Sequence, residues 1–346
     1  MSPDVSIVIP SWNGRHLLER FLPSVLGAAT EYRRSSRAAC EIIIVDDAST
    51  DETIDWLEKV FESEVNWLRR QRNGGFAVAC NNGFRAARYP LLLLLNNDVE
   101  IEAGFIQPLV EHFSDPGVFA ATGKVFELDT RVFCNGGKVG RFRHGYWSMY
   151  ANYDIRGEEG AALLQSRQLL SVTAIGGFSM FDRIKLMSLG GFDELMSPYH
   201  WEDIDLSYRG WKRGWEVRYE PRAVGYHNAS STIGAHYRKR AVELVAVRNR
   251  LIFHWKNVHS WTMWISHLWM TLFLLLFSVF KLDFLYYRAF WQALGVMGGI
   301  RRKRREERRS SKITDVALRQ RLAKFYRQAG LIIVRSRKEA LQLCEK

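Results

Sequence analysis

The first 125 residues alternate short apolar runs with amphipathic stretches, and no other feature of the sequence constrains the fold as strongly. A short apolar run predicts a buried strand, and a stretch with helical periodicity predicts a covering helix. Their alternation is typical of an α/β fold in which a mostly parallel sheet lies between two layers of helices. The predicted strands are residues 5–10, 41–46, 65–69, 91–96 and 119–125, and the predicted helices lie near 16–28, 53–61, 76–87 and 105–113.

Polar residues follow three of the predicted strands, at the point where each strand ends. Ligands of open α/β sheets bind beyond the carboxyl ends of the strands, so these residues are candidates for a nucleotide site. They are Pro10-Ser11-Trp12-Asn13 after the first strand, Asp46-Asp47 after the second and Asn96-Asn97-Asp98 after the fourth.

Asp46 and Asp47 precede a sequence that is typical of an ordinary helix start. Ser49 or Thr50 can act as the N-cap, and Asp51 favours the helix dipole. Capping does not require the pair of aspartates, however, and a carboxylate at a strand end can accept hydrogen bonds from a nucleobase or a ribose. We therefore expect at least one of the two to contact a ligand.

Asn97 and Asp98 offer oxygen ligands beside a buried strand. Such ligands suit Mg²⁺ or Mn²⁺ shared with a diphosphate, because these ions accept a few protein oxygens when phosphate oxygens and water complete the coordination. An ordinary polar turn is the alternative interpretation. His227 closes a later short strand and is either a structural histidine or a ligand of the metal or the diphosphate.

Glu202 and Asp203 begin a predicted amphipathic helix, residues 202–213, directly after Trp201. Acidic residues at a helix N-terminus often only favour the dipole, and we interpret Asp205 in that way. Glu202 and Asp203 differ from Asp205 because they directly follow Trp201, whose ring could form a platform for a sugar. A carboxylate beside that platform could remove the proton from an attacking hydroxyl group.

Taken together and in this order, the motifs resemble an inverting family-two glycosyltransferase of the GT-A fold. The nearest branch is the rhamnosyltransferase-like enzymes of bacterial surface polysaccharide synthesis, and the resemblance covers roughly residues 3–257. The motifs are Ile9-Pro10-Ser11-Trp12-Asn13, Val45-Asp46-Asp47-Ala48-Ser49-Thr50-Asp51, Asn73-Gly74-Gly75-Phe76, Asn81-Asn82-Gly83, Asn96-Asn97-Asp98, Gly176-Gly177-Phe178, Gly190-Gly191-Phe192-Asp193-Glu194, Trp201-Glu202-Asp203-Ile204-Asp205-Leu206 and His227.

The resemblance implies a nucleoside-diphosphate sugar as donor, a glycan or polyprenyl-diphosphate-linked acceptor, and Mg²⁺ or Mn²⁺ as cofactor. It departs from the family pattern at Asn96, where the family's metal-binding motif begins with an aspartate. Carried over by position, the donor site comprises Pro10, Trp12, Asn13, Asp46, Asp47, Asn81, Asn97, Asp98 and Gly177. Asp98 and His227 would hold the metal, Trp201 the acceptor, and Asp203, with Glu202 as second candidate, would be the catalytic base.

The net charge of +12 lies entirely in the last 66 residues, which contain 18 Lys or Arg against 6 Asp or Glu. A neutral body with a basic C-terminal segment argues against nucleic acid as a partner and favours an anionic surface. Just before the basic segment, residues 257–280 contain no Asp, Glu, Lys or Arg, which is long enough to span a bilayer.

A single crossing would place the body and the basic cluster at 301–309 on opposite sides of the membrane. The body needs cytosolic sugar nucleotides, and basic runs prefer the cytoplasmic side, so both belong on that side. We therefore expect interfacial or re-entrant helices on the cytoplasmic face of the inner membrane; a two-pass hairpin and ordinary packing on the body remain alternatives. The predicted organisation is a GT-A catalytic domain at 1–257, with a nucleotide-binding half at 1–125 and an acceptor half at 126–257, membrane-associated apolar helices at 258–300, and a basic helical tail at 301–346.

Two other function classes share parts of this pattern. A sugar nucleotidyltransferase would use a similar sheet but would need a basic, glycine-rich triphosphate loop after the first strand, where this sequence has Ser11-Trp12-Asn13-Gly14. A non-catalytic membrane scaffold could retain the fold, but it would have no use for both Asp98 and Asp203. The four dispersed cysteines and the absence of a basic, apolar leader favour a reducing, cytoplasmic compartment.

Overall fold

The computed structural model of the chain describes residues 2–61, 64–228 and 238–344. Two short 3₁₀ turns, Glu111–Ser114 and Glu194–Met196, supplement the strands and helices. In chain order these are β1 Val5–Ser11, α1 Arg15–Ser36, β2 Cys40–Asp46, α2 Thr53–Val60, β3 Asn66–Arg69, α3 Phe76–Ala86, β4 Leu91–Leu95, β5 Val99–Ile101, α4 Ile106–Val110, β6 Val118–Glu127, β7 Phe133–Asn135, β8 Gly137–Arg143, β9 Tyr146–Ile155, α5 Gly157–Gln165, β10 Phe178–Asp182, α6 Arg183–Ser188, α7 Glu202–Lys212, β11 Glu216–His227, α8 Lys239–Asn257, α9 Trp261–Phe280, α10 Leu285–Gly295, α11 Met297–Ser310, α12 Asp315–Phe325, β12 Leu331–Val334 and α13 Arg337–Cys344.

The main sheet has the strand order β3-β2-β1-β4-β10-β6-β11-β5, and β7 pairs with β6 outside this order. Strands β1 to β4 pair in parallel, whereas β10 is antiparallel to both β4 and β6. The predicted α/β fold with a mostly parallel sheet is confirmed. Because β1, β2 and β4 are parallel, their carboxyl ends share one edge, and the polar strand ends of the sequence meet there.

Both faces of the central strands are buried, which explains their continuous apolar sequences. Along β4 the side chains alternate between two separate cores: Leu92 and Leu94 belong to one, and Leu91, Leu93 and Leu95 to the other. The five leucines are at most 4% exposed. Neither face of β4 meets water, so an alternating apolar and polar sequence would place polar side chains in one of the two cores.

A smaller antiparallel sheet, β12-β9-β8, stands beside the main one and accounts for the glycine- and aromatic-rich middle of the sequence. Its third strand comes from the C-terminal segment, residues 301–346, for which the sequence predicts a helical tail. In that segment β12 pairs with β9, and the buried Asp315 forms an ion pair of 2.6 Å with Lys212. The C-terminal segment is therefore part of the folded body.

Helix α9 (Trp261–Phe280) is the one described helix that is long and apolar enough to cross a membrane. One side of the helix packs on the body through His267 and Thr271, whose side chains contact Gly145 and Tyr146 of the β8–β9 hairpin. Most of the remaining surface is uncovered. Its exposed apolar side chains are Trp261, Ile265, Leu268, Trp269, Leu272, Phe273, Leu276, Phe277, Val279 and Phe280.

Candidate active site

A cavity of about 880 Å³ opens at the carboxyl ends of β1 and β4, where they approach the start of α7. Most residues that the sequence analysis selected line this one cavity, although they come from six separate parts of the chain. They are Pro10, Trp12, Asp47, Asn97, Asp98, Gly177, Trp201, Glu202, Asp203 and His227. Asn13, Asp46 and Asn81 lie outside the lining.

Asp98 and His227 are brought together by strand pairing. Residue His227 ends β11, and in the β5–β11 ladder it stands opposite Val99, the neighbour of Asp98. The His227 Nε2 atom lies 3.3 Å from the Asp98 Oδ1 atom. Next to them, the Asn97 side chain donates a hydrogen bond of 3.0 Å to Ser11 at the end of β1. The wall of the cavity here consists of oxygen and imidazole groups.

Two adjacent glycines connect this wall to the predicted catalytic base. The Gly176 N–H donates to the Asp203 carboxylate at 3.2 Å, and the Gly177 carbonyl accepts from the Asn96 N–H at 2.9 Å. Gly177 has φ +77°, and a Cβ atom at this position would lie 1.9 Å from the Asn96 side-chain oxygen. Only glycine allows so close an approach, so this segment fixes the base relative to the Asn96–Asp98 triplet.

Glu202 and Asp203 open α7 in a buried environment that disfavours their charge. Burial raises the pKa of Glu202, and the carboxylates of Asp203 and Asp205 raise it further. Burial also raises the pKa of Asp203, while two backbone N–H groups, Lys138 and His200 oppose that rise. The Glu202 Oε2 atom is buried and accepts no hydrogen bond from any described residue. Perturbed carboxyl groups of this kind in a cleft are characteristic of acid–base sites.

The loop before α7 is held by a residue that the sequence analysis missed. The fully buried Asn249 of α8 donates hydrogen bonds of 2.9 Å to the carbonyls of Tyr199 and His200. His200 and Trp201 both have positive φ, at 70° and 76°, which is a strained conformation for such residues. Nothing in the sequence around Asn249 signals this role, because its partners lie about fifty positions away.

Asp47 contributes to the cavity edge through the backbone that it organises. Its carboxylate pairs with Arg70 and accepts N–H donors from Gly74 at 3.1 Å and Gly75 at 2.9 Å. These bonds fold residues 73–75 into the turn that begins α3. The Asn73-Gly74-Gly75-Phe76 motif is thereby tied to the end of β2.

Asn13 and Asp46 support the strand-end loops from behind the cavity. The Asn13 side chain accepts the Thr50 N–H at 2.8 Å, and the Asn13 N–H donates to the Ser49 hydroxyl at 2.8 Å. The fully buried Asp46 accepts the Ser49 N–H at 3.2 Å. Both residues therefore have structural roles, and their predicted contact with a ligand stays a prediction.

Asn81 is occupied in a similar way. Its amide nitrogen donates to the Phe192 carbonyl at 2.9 Å and to Glu194 at 3.1 Å, and its oxygen accepts the Phe192 N–H at 2.8 Å. The side chain joins α3 to the Gly190–Glu194 motif. Its predicted position near a nucleotide is untested, but its hydrogen-bonding groups already have partners in the protein.

The residues at the Asn96–Asp98 triplet fit a divalent cation that protein groups hold only in part. Among the described residues there is no group of three or more His, Cys, Asp or Glu side chains around one point. Asp98 and His227 form a pair, and the buried Asn96 Oδ1 atom beside them accepts no hydrogen bond from the described chain. Mg²⁺ or Mn²⁺ commonly binds through one or two protein groups plus substrate phosphates, which matches this donor set.

The sheet topology, the cavity at the strand ends and the carboxylates on its walls together define a GT-A glycosyltransferase. The sequence profile of glycosyl transferase family 2 matches residues 6–186, more than half of the chain. The chain belongs to glycosyltransferase family 2. The resemblance that the sequence motifs indicated is thus confirmed at the level of family and fold.

Two curated relatives illustrate the range of the family. The poly-β-1,6-N-acetyl-D-glucosamine synthase of Staphylococcus aureus (strain COL) is 25% identical over 238 residues, which cover 68% of this chain and 52% of that protein. The pre-mycofactocin glycosyltransferase of Mycobacterium tuberculosis (strain CDC 1551 / Oshkosh) is 28% identical over 228 residues, covering 65% of this chain and 43% of that protein. The chain spans about half the length of these curated relatives.

Solved structures support the fold alone at their level of identity. GalNAc-T7 with UDP, GalNAc and Mn²⁺ superposes with a TM-score of 0.57 at 19% identity, over 75% of this chain and 49% of that one. The mannosyltransferase PcManGT of Pyrobaculum calidifontis, in complex with GDP-Man and Mn²⁺, gives 0.50 at 17% identity, over 86% and 76% of the two chains.

Proposed function

We propose that this protein transfers a sugar from a nucleoside-diphosphate sugar to a hydroxyl group of a glycan or polyprenyl-linked saccharide, with inversion at the anomeric carbon. The observation that carries the proposal is the Gly176-Gly177 bridge, which links Asp203 on one side to the Asn96–Asp98 triplet on the other within one cavity. A base and a diphosphate site on neighbouring parts of one cavity suit a displacement at the anomeric carbon of a sugar bound between them. We place the reaction in bacterial surface polysaccharide synthesis and retain the rhamnosyltransferase-like branch as a prediction.

The proposed reaction needs an ionised base and a separate site for the leaving group. The Asp203 carboxylate takes the proton of the acceptor hydroxyl as its oxygen forms a bond to the anomeric carbon. The bond from that carbon to the diphosphate oxygen breaks on the opposite face, so the configuration inverts. Trp201, on the cavity wall beside Asp203, offers an apolar face to the acceptor sugar.

We propose that Asp98 and His227 hold Mg²⁺ or Mn²⁺ when the donor is bound. A cation at this position would neutralise charge on the departing nucleoside diphosphate. Two neighbours of this fold contain Mn²⁺ together with UDP or GDP-Man, which supports metal use in this fold. The replacement of the usual first aspartate by Asn96 removes one negative charge from the site.

A screen of UDP-, GDP- and dTDP-activated sugars tests this function. Isothermal calorimetry on the full chain should detect one of them with a Mg²⁺- or Mn²⁺-dependent affinity, and proton NMR of the product should show the inverted anomer. Transfer that is unchanged in saturating chelator would contradict the metal role. A retained configuration in the product would contradict the direct displacement.

We also propose that the enzyme binds the cytoplasmic face of the inner membrane as a peripheral or monotopic protein. The exposed side of α9 carries Trp261, Trp269 and Phe280, which are 72, 69 and 81% exposed. The opposite side is hydrogen-bonded to the body through His267 and Thr271. A helix that uses one side for the body and the other for an apolar phase suits an interfacial position.

Vesicle sedimentation tests the membrane proposal on the full chain. Deleting residues 258–346 would be a poor test, because β12 and Asp315 belong to the folded body. Changing the exposed Leu268, Leu272 and Leu276 to glutamate should instead release the protein from vesicles of phosphatidylglycerol and phosphatidylethanolamine. The same substitutions should leave the melting temperature unchanged, and unaltered sedimentation would contradict the proposal.

A further inference from the structure

Lys138 lies on the wall of the cavity at the second position of β8, and its backbone is anchored on three sides. Its N–H donates to the Ser171 hydroxyl at 2.9 Å. Its carbonyl accepts from the Val172 N–H at 3.1 Å and from the Tyr326 hydroxyl at 2.9 Å. The backbone at Lys138 is therefore held by the segment that leads to Gly176 and by the C-terminal segment.

The ammonium group of Lys138 is not used for a structural ion pair within the described chain. Lys124, Lys212 and Lys256 each lie 2.5 to 2.6 Å from a carboxylate, whereas Lys138 has no carboxylate within 4.0 Å among the described residues. Its charge nevertheless interacts with Asp203, which lines the same cavity. The backbone of Lys138 is fixed, and its ammonium group forms no ion pair within the described chain. Together these two features indicate a role in the cavity.

The surroundings of Asp203 show why such a charge is needed. Within α7 the neighbouring Glu202 repels it, and Asp205 is turned away to Lys256. From the preceding loop His200 favours the ionised form, and the Gly176 and Ile204 N–H groups donate to the carboxylate. Burial lowers the pKa of Lys138 itself, while Asp203 raises it, so each charge supports the other.

We propose that Lys138 is a positioning residue for the candidate base: its ammonium group keeps the Asp203 carboxylate ionised inside the cavity, where donor and acceptor exclude water. This inference rests on the proposed function. A carboxylate that takes a proton from a hydroxyl must be ionised before the reaction, and desolvation by the substrates works against that state. Lys138 supplies the compensating charge from a strand that carries none of the recognised motifs.

Carboxyl ¹³C NMR of the full chain, labelled at aspartate and assigned with Asp203→Asn, tests the inference without requiring turnover. In Lys138→Met the pKa of Asp203 should rise by about one unit, and Lys138→Arg should restore it. Lys124→Met is the matched control, because it removes another half-buried lysine that is paired with Asp154 outside the cavity. An unchanged Asp203 titration in a folded Lys138→Met protein would overturn the inference.

Kinetics supply the second readout once the screen has identified a donor, with an octyl glycoside as probe acceptor. The acid limb of the pH profile of kcat/KM should move to higher pH in Lys138→Met, with about tenfold lower activity on that limb and recovery at high pH. A higher acceptor KM without a pH shift would instead assign Lys138 to substrate binding. If the wild-type chain shows no transfer with any donor, the proposed function is contradicted. The NMR result would still decide the role of Lys138.

Should Lys138→Met melt at a much lower temperature than the wild type, Lys138→Gln provides the neutral variant that keeps a polar end group. The comparison of Lys138→Gln with Lys138→Arg then isolates the charge. Equal Asp203 titrations in these two proteins would overturn the inference.

Discussion

Helix α7 carries acidic residues in two different environments, and their pKa values are shifted in opposite directions. At its N-terminus, Glu202 and Asp203 face the cavity, and burial raises the pKa of both. Two residues further on, Asp205 lies in a network behind the cavity wall. Burial alone would raise its pKa as well, but Lys256 and Arg209 lower it. The residue types are similar, so the difference comes from the partners.

The network behind the wall is fully paired. Lys256, only 1% exposed, contacts both Asp205 at 2.6 Å and Asp193, while Lys303 reaches Asp193 at 2.6 Å. Arg209 pairs with Asp205 at 2.8 Å. The network joins α7 to α8 and α11. Paired buried carboxylates thus hold the helix in place, and the carboxylates that lack such partners remain available for chemistry.

Asp203→Asn should produce the largest effect on the cavity side of this comparison. Removing a general base lowers the transfer rate by about 10²- to 10⁴-fold. Donor affinity, measured by calorimetry, should stay close to that of the wild type, because the change lies on the acceptor side of the reaction. Near-normal transfer by this variant would move the base elsewhere, with Glu202 as the first candidate.

Lys256→Met should produce the largest effect on the network side. Breaking a buried ion pair by removing one partner leaves Asp193 and Asp205 without their main counter-charge, so the free energy of unfolding should fall by about 3–5 kcal/mol. Denaturant unfolding measures this change. Lys303→Met is the matched control: its side chain is 32% exposed, and we expect a loss of no more than about 1 kcal/mol. Equal losses in both variants would show that burial does not separate them.

The network also predicts an acid limit to stability. The folded-state pKa values of Asp193 and Asp205 are lowered, so between these values and about 4 the unfolded chain binds more protons than the folded chain. The free energy of unfolding should therefore rise with pH through this window and fall as the pH drops below about 4. Unfolding curves from pH 3 to pH 6 test the sign, and the slope should be smaller in Lys256→Met.

The division between cavity and network could be predicted only in part from the sequence. Strand ends share an edge in any parallel sheet, so Trp12, Asp47 and Asp98 could be placed together from local patterns alone. The interpretation of Asp205 as a helix-dipole residue was incomplete, because Lys256 and Arg209 complete its role. Arg209 is four positions away on the same helix, but Lys256 is about fifty positions away and leaves no mark on the local pattern.

Long-range contacts also explain the other differences. The pairing of β12 with β9 joins residues that are about 180 positions apart, so the C-terminal segment was interpreted from its composition as a basic tail. Lys138 and Asn249 were missed for a related reason: each belongs to an element without a motif, and its proposed or observed partners lie in another part of the chain. Asn81 shows the converse, because this motif residue bonds to a second motif, through Phe192 and Glu194.

Glu202→Gln should give the smallest effect and one of opposite sign to Lys256→Met. The folded-state pKa of Glu202 is raised, so between about pH 4.3 and that value the folded chain binds more protons than the unfolded chain, and stability falls as the pH rises. A neutral amide removes this cost, and the free energy of unfolding at pH 7.5 should increase by roughly 1 kcal/mol. Denaturant unfolding at pH 5 and pH 7.5 should show the gain mainly at the higher value. A loss of stability at pH 7.5 would mean that Glu202 is paired in solution, and the contrast between the two ends of α7 would then disappear.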